Sequence, residues 1–213
     1  MGSISPGGKS HASFDHYPGG LIGSEYPVPV KLPHASLLGL GAALLASCQT
    51  PAPGGARLYA GYGDYHRAIT TNSAAAQRWF DQGMQLLYGF NHDEAIRSFR
   101  EAARLDPHAA MPWWGVAYAY GVHVNNPEMS AEANAGAFED VQEAQQQLDE
   151  ETPVERALVA ALMERYAWKV PADRQPLNQA FAQAMEEVWH AFGDDTDVGA
   201  LYAESLMNLQ PWD

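Results

Sequence analysis

Residues 76–109 read AQRWFDQGMQLLYGFNHDEAIRSFREAARLDPHA, and this stretch decides the fold class. Small and large apolar residues recur along it at helical spacing. A polar interruption at residues 91–93 separates two such runs, and Asp93 can cap the second helix. Glycine inside a helix costs about 1 kcal/mol relative to alanine, so we expect Gly83 to let the second helix approach closely. The stretch predicts two antiparallel helices that end in a turn at Pro107.

The spacing of this stretch resembles the tetratricopeptide (TPR) repeat, whose period is 34 residues. The next window begins at Ala110, keeps the tryptophan and small-residue positions through its first helix, and departs from the pattern at residues 123–127. The resemblance implies a binding scaffold of stacked helical hairpins and not a catalytic domain. The positions that carry it are Trp79, Gly83, Ala95, Phe99, Ala102, Pro107, Trp113, Ala117 and Tyr120.

Helical patterns continue to the end of the chain. Thr152-Pro153-Val154-Glu155 combines a capping box with proline at the first helical position. About seven helices and no convincing strand predict an all-α fold, and the resemblance implies a TPR-like solenoid of right-handed stacked helix pairs over residues 72–213. Because no helix follows the last one to cover it, we expect this domain to be incomplete and the chain to be part of a longer protein. The later helices are predicted at about 130–148, 152–168, 173–192 and from Thr196 or Asp197 to Leu209.

Residues 30–48 resemble a bacterial lipoprotein signal. Lys31 precedes a short apolar run, and the segment ends in Leu-Ala-Ser-Cys at Cys48, the position that the resemblance implies is lipidated. The alternative is a short buried helix with a chance cysteine. The signal interpretation implies a lipid-anchored protein of the exported TPR class at the bacterial cell envelope, on its periplasmic or surface side.

The flanks of this segment have their own composition. Residues 1–29 are rich in Gly, Pro, Ser and His and are predicted to be disordered. We expect translation to begin at Val30, so that residues 1–29 are not made. Residues 49–71 are predicted to be a linker, with an irregular Gly/Tyr-rich part whose tyrosines pack on the first helix.

Charge and cysteine content exclude several function classes. With 12 basic and 26 acidic residues the formal net charge is −14, which repels phosphate backbones and argues against nucleic acid. The acidic charge is compatible with binding of basic peptides, with binding of cations, or with solubility alone. A single cysteine allows neither an intrachain disulfide nor a cysteine-based zinc cluster. No catalytic motif, cofactor motif or metal-ligand spacing is found, and His92, His108 and His123 are predicted to be solvated in turns.

The resemblance places a peptide-binding groove on the first helix of each hairpin. Ten residues of this chain fall at the groove positions of that family; three of them, Gln77, Met111 and Gly121, are not counted among the predicted partner-binding residues. The alternative is that later helices cover these side chains and make them core. The partner-binding residues predicted on this basis are Phe80, Met84, Leu87, Tyr88, Trp114, Tyr118 and Val122.

Three functions remain open at this point. The first is a non-catalytic scaffold for a protein or peptide partner, which touches a membrane only through a lipid anchor. The second is an accessory domain of a larger envelope enzyme. The third is a small-ligand or metal-binding domain that uses the loop at residues 123–127 beside Trp114 and Tyr118.

Overall fold

The computed structural model describes residues 55–210, and within this range the chain forms seven helices and no strand. The predicted all-α class is therefore confirmed for the described residues. They belong to one compact unit, Cys48–Asp213. In chain order the helices are α1 (Ala74–Tyr88), α2 (His92–Leu105), α3 (Ala110–Ala119), α4 (Ala131–Gln146), α5 (Pro153–Met163), α6 (Gln175–Ala191) and α7 (Thr196–Met207).

Short polar side chains begin several of these helices. Ser73 accepts a hydrogen bond from the Ala76 N–H at the start of α1, and Ser130 does the same for α4. The predicted capping box is present at α5, where Thr152 and Glu155 exchange side-chain and backbone hydrogen bonds.

Three predicted helix ends need correction. Asp93 does not cap α2, which instead begins after Asn91 without a side-chain cap. Helix α5 ends at Met163, before the predicted end at Trp168. The carboxylate of Asp195 caps α7 by accepting from two backbone N–H groups, so the cap lies just before the residues that sequence indicated. All three differences concern helix ends, where local propensity is a weak guide.

Each helix packs against the next along the chain, and α3 also contacts α1 and α5. Phe99 of α2 is fully buried between two glycines, Gly83 of α1 and Gly115 of α3. A Cβ atom at Gly83 would lie 2.4 Å from the Phe99 ring, and one at Gly115 would lie 2.6 Å from it. The close approach predicted at Gly83 is therefore observed, and Gly115 provides the same clearance from α3.

Several sequence predictions lie outside the described residues. These are the disordered extension at 1–29, the signal segment at 30–48 with Cys48, the first part of the linker at 49–54, and residues 211–213. Among the seven described helices, none has both the length and the apolar content needed to cross a membrane.

Candidate functional site

The predicted groove residues are mostly core side chains in this structure. Other helices cover them. On α1 the Phe80 ring packs on the Phe99 ring of α2. On α3, Trp114 donates from Nε1 to the Leu158 carbonyl of α5, and Tyr118 donates from its hydroxyl to Glu204 of α7. This corrects the expectation of an exposed aromatic groove and matches the core alternative. Tyr88 differs, since it is 38% exposed; the six buried residues, at most 5% exposed, are Phe80, Met84, Leu87, Trp114, Tyr118 and Val122.

The residues that carry the repeat resemblance lie in or against the same core. Pro107 is exposed in the turn before α3. Trp79, Trp113 and Tyr120 are partly buried and pack against the core. The small and aromatic positions at Gly83, Ala95, Phe99, Ala102 and Ala117 are buried.

A segment at residues 57–72, which we call the arm, lies along α1. It contains neither helix nor strand. Around Arg67 its side chains alternate: Tyr65, Arg67 and Ile69 are buried or half-buried, whereas His66 and Ala68 are exposed. That alternation is typical of an extended chain. Sequence indicated a linker here, but the described part of it is bound to the helices.

Two glutamines of α1 hold the backbone of the arm. Gln77 accepts from the Ile69 N–H at 3.0 Å and donates to the Arg67 carbonyl at 2.8 Å. Gln82 accepts from the Tyr59 N–H at 2.7 Å and donates to the Arg57 carbonyl at 2.9 Å. Each amide thus bridges the carbonyl of one residue and the N–H of the residue two positions later, so the same two-point contact with the backbone occurs twice.

Further side chains orient these two glutamines and extend the contact. Gln77 also donates to Asp81 at 2.9 Å, and Gln82 also donates to Ser98 of α2 at 3.0 Å, so both N–H donors of each amide are used. Asp81 accepts from the Arg67 N–H at 3.2 Å, and Gln85 donates to the Tyr62 carbonyl at 3.3 Å. A polar row along α1 therefore contacts the main chain of the arm, and Asp81 also contacts the exposed His66 ring at 2.8 Å.

The buried side chain of Arg67 reaches the amino terminus of α7. Its Nη1 atom lies 2.9 and 3.0 Å from the two carboxylate oxygens of Asp195 and 3.0 Å from Asp197. Asp197 also accepts from the hydroxyls of Tyr65 at 3.0 Å and Tyr88 at 2.6 Å. The arm thereby connects the first described helix to the last.

The carboxyl-terminal end of the arm contacts α5 and the turn after α2. Glu155 accepts from the Thr70 N–H and from its hydroxyl, both at 2.7 Å. Asp106 accepts from the Thr71 hydroxyl at 2.5 Å and from the Asn72 N–H at 3.2 Å. Glu155, which belongs to the capping box of α5, therefore has a second partner that is 85 residues away in sequence.

The ion pair at Arg67 stays charged over the ordinary pH range. Burial alone would lower the pKa of Arg67, but the hydrogen bonds and charges of Asp195 and Asp197 outweigh it and raise the pKa. Burial would raise the pKa of Asp195, yet the contacts with Arg67 and with backbone N–H groups bring it below the ordinary value of 3.8. Burial first, with the nearby Asp197 adding to it, raises the pKa of Tyr65 and Tyr88, so both hydroxyls remain protonated donors.

An acidic pocket of about 360 Å³ adjoins the end of the arm. Of the residues that the structure describes, no lysine or arginine lines it, while Asp106, Asp149, Glu150 and Glu151 do. The surroundings of the arm are therefore acidic, in keeping with the net charge of the chain.

The loop after α3 does not have the exposed histidine that sequence predicts. His123 is 7% exposed, and its ring stacks on that of His92 with centroids 3.4 Å apart. The fully buried Arg165 lies over the Tyr118 ring at 4.8 Å and donates to the Val122 carbonyl. His92 is half-buried, and only His108 among the three turn histidines is exposed, where it contacts Gln147.

Three nitrogens in this cluster have no hydrogen-bond partner among residues 55–210: His92 Nδ1, His123 Nδ1 and Arg165 Nη1. Burial, followed by the charges of His92 and Arg165, lowers the pKa of His123 to about 3. Both Asn125 and Asn126 remain exposed. Across residues 55–210, no three His, Cys, Asp or Glu side chains come together as metal ligands.

Sequence analysis predicted that the tyrosines of the arm pack on the first helix, but it missed the backbone contacts with α1 and the ion pair of Arg67 with Asp195, which lies 128 residues away. One signal was present: Gln77, Asp81 and Gln85 form a polar row at four-residue spacing on a helix that is otherwise largely apolar.

In the comparisons with known proteins, no family model, no curated protein and no solved structure matches this chain.

Proposed function

We propose that the protein is a non-catalytic scaffold that binds an extended segment of a partner protein on the arm-binding face of α1. One observation carries this proposal, namely the repeated backbone contact of Gln77 and Gln82 with the arm. Recognition through main-chain hydrogen bonds is a general way to hold extended peptides whose sequences differ. The face that holds the arm is therefore chemically suited to a foreign segment.

The stacking order of the helices supports a TPR-like arrangement. Contacts between consecutive helices, together with those of α3 with α1 and α5, are what a row of helical hairpins requires. The interlock of Phe99 with Gly83 fits the large and small positions of that repeat. Location at a bacterial envelope with a lipid on Cys48 remains part of the proposal and rests on the sequence of residues 30–48.

The test is a selection of linear peptides from a random library against the full chain. The receptor carries Arg67→Glu, which sets a carboxylate against Asp195 and Asp197 and releases the arm. We expect selected peptides to bind this receptor and to lose binding when Gln77→Ala and Gln82→Ala are added. The matched control is Gln145→Ala on the exposed face of α4. Selected peptides that are indifferent to both α1 substitutions, or a selection that yields none, would contradict the proposal.

A second candidate function is binding of a small anion at the buried histidine–arginine cluster. The three unpartnered nitrogens of His92, His123 and Arg165 favour it, since buried polar atoms usually have partners. Inorganic phosphate is the probe, with chloride at matched ionic strength for comparison. A thermal shift with phosphate that His123→Gln removes and His108→Gln keeps is the expected result. Equal shifts with both salts contradict this function.

A further inference from the structure

We propose that the cleft between the arm-binding face of α1 and the start of α7 selects partner segments that carry an arginine between an aromatic and an aliphatic residue at alternate positions. The arm is the chain's own occupant of that cleft, and a partner segment displaces it. This inference rests on the proposed function and names the class of partner.

The alternation of the arm defines the selecting positions. Tyr65, Arg67 and Ile69 face inward, and Arg67 and Ile69 are 8% and 9% exposed. The two residues between them are exposed, and of these His66 contacts Asp81 through its ring. Gln77 contacts only the main chain around Arg67, whereas Asp81 contacts the Arg67 N–H and also the His66 ring at 2.8 Å. The contacts of Gln77 are therefore compatible with other sequences, and specificity at the buried positions comes from the three inward side chains.

The middle position is built for a guanidinium or ammonium group. Two carboxylates, Asp195 and Asp197, surround one cation, and Asp195 is also held by backbone N–H groups at the start of α7. A neutral side chain in place of Arg67 would leave these two carboxylates close together without a counter-charge, which is unfavourable. An anionic side chain would be repelled. The net charge of −14 and the acidic pocket beside the arm favour a basic partner in addition.

The first position suits a tyrosine. The Tyr65 hydroxyl donates to Asp197, and its ring meets the Tyr88 ring edge to face at 6.0 Å between centroids. The last position, filled by Ile69, belongs to the apolar core cluster. An aromatic hydroxyl, a cation and an aliphatic side chain thus occupy three chemically different sites in one extended stretch.

The arm competes with a partner segment for the cleft because the arm is covalently linked to the helices. A tethered segment acts at an effective concentration in the millimolar range, so a free segment of equal intrinsic affinity binds the intact chain poorly. A partner with better contacts, or a weakened arm, is needed for binding.

The experiment uses a labelled synthetic peptide with the sequence of residues 57–71 and the full chain as receptor, with fluorescence anisotropy as the readout. We expect the peptide to bind the Arg67→Glu chain at least about 10-fold more tightly than the wild-type chain, because the arm no longer competes. In the peptide, Arg67→Glu should weaken binding about 10- to 100-fold, and Arg67→Lys should give an intermediate loss. The matched peptide is Arg57→Glu, which changes the charge equally at an exposed position.

A receptor series isolates the carboxylates. Asp197→Asn, added to Arg67→Glu, should weaken peptide binding about 10-fold, whereas Asp194→Asn at a neighbouring exposed position should leave it unchanged. Circular dichroism verifies folding, and Arg67→Ala is the second receptor if Arg67→Glu does not fold.

Each contrary outcome has a separate meaning. Equal losses for the Arg57→Glu and Arg67→Glu peptides would show general attraction to an acidic surface and overturn the proposal. Binding that is insensitive to Arg67 but requires Gln77 and Gln82 would overturn the arginine selection and leave the proposed function standing. Absence of binding by every peptide to a folded receptor contradicts both. Exchange of arms between two intact chains, seen as a concentration-dependent dimer, would make a second copy the occupant and overturn the proposal.

Discussion

The α1–α3 region is held by apolar packing, whereas the arm is held mostly by polar contacts, with Ile69 as its one side chain in the buried core cluster. In the first, Phe99 is enclosed between Gly83 and Gly115 with no polar contact. In the second, hydrogen bonds from α1 and an ion pair with α7 hold a segment that has no helix or strand. Apolar burial of this kind stabilises the whole unit, whereas polar contacts on a surface segment contribute less each and open locally. The difference predicts that the arm can open while the α1–α3 framework stays folded.

The largest expected effect comes from the framework. Phe99→Ala should lower the free energy of unfolding by about 3–5 kcal/mol, because a fully buried ring leaves a cavity between two glycines that cannot fill it. Urea denaturation measures the loss. Phe90→Ala is the matched control, since that ring is 54% exposed, and should change stability by less than about 0.5 kcal/mol. Similar losses for both variants would contradict the comparison.

The next effect is a loss of stability at acid pH, and it arises at His123, in the loop after α3. His123 has a folded pKa of about 3 against an ordinary value of 6.5, so the unfolded chain binds a proton more readily between these values. Stability should therefore be complete above about pH 6.5 and fall by about 1.4 kcal/mol per pH unit below it. The slope belongs to the His123–His92 stack beside Arg165, where a positive charge is unfavourable.

The measurement is the free energy of unfolding from pH 7 to pH 4.5 in wild type and in His123→Gln. The difference between the two curves is decisive, because Asp140, whose pKa burial raises to about 6 despite Arg100, acts in the opposite direction in both proteins. His123→Gln should flatten the curve, and the exposed His108→Gln should not. Parallel curves for wild type and His123→Gln would refute the assignment.

A smaller and local effect is expected at the arm. Arg67→Ala should reduce the opening free energy of the Ile69 and Thr70 amides by about 1–3 kcal/mol while those of α2 stay protected, because only the ion pair with α7 is lost. Hydrogen–deuterium exchange with mass spectrometry measures both regions. Arg57→Ala, an exposed arginine on the same segment, is the control. Equal deprotection of the arm and α2 would mean that the two regions are not separable.

The smallest expected effect is that of one hydroxyl. Tyr88→Phe removes the donor to Asp197 and keeps the ring, so a loss of about 0.5–1.5 kcal/mol in arm protection follows. The same exchange experiment measures it, and Tyr62→Phe is the control with an exposed ring. A loss as large as that of Arg67→Ala would show that the hydroxyl, not the ion pair, holds the arm.

Much of the fold could be predicted because its causes are local. The helical spacing of residues 76–109, the Thr152–Glu155 capping box and the close approach at Gly83 all depend on residues near one another in sequence. The exposure of Trp114 and Tyr118 could not be predicted, since α5 and α7 cover them from 44 and 86 residues away. The predicted exposure of His123 was wrong for the same reason. A turn position suggests contact with solvent, but His92 and Arg165 enclose the ring.

Sequence by itself determined the helical framework, because helix formation and small-to-large interlocking obey short-range periodicity. Only the tertiary structure decided which distant residues bind the side chains of the arm. Arg67 meets Asp195 across 128 residues, and Thr70 meets Glu155 across 85. Nothing in the periodicity of either partner signals such a pair, since polar side chains at a surface are equally compatible with water. The helices had to be stacked before these groups came within hydrogen-bonding distance.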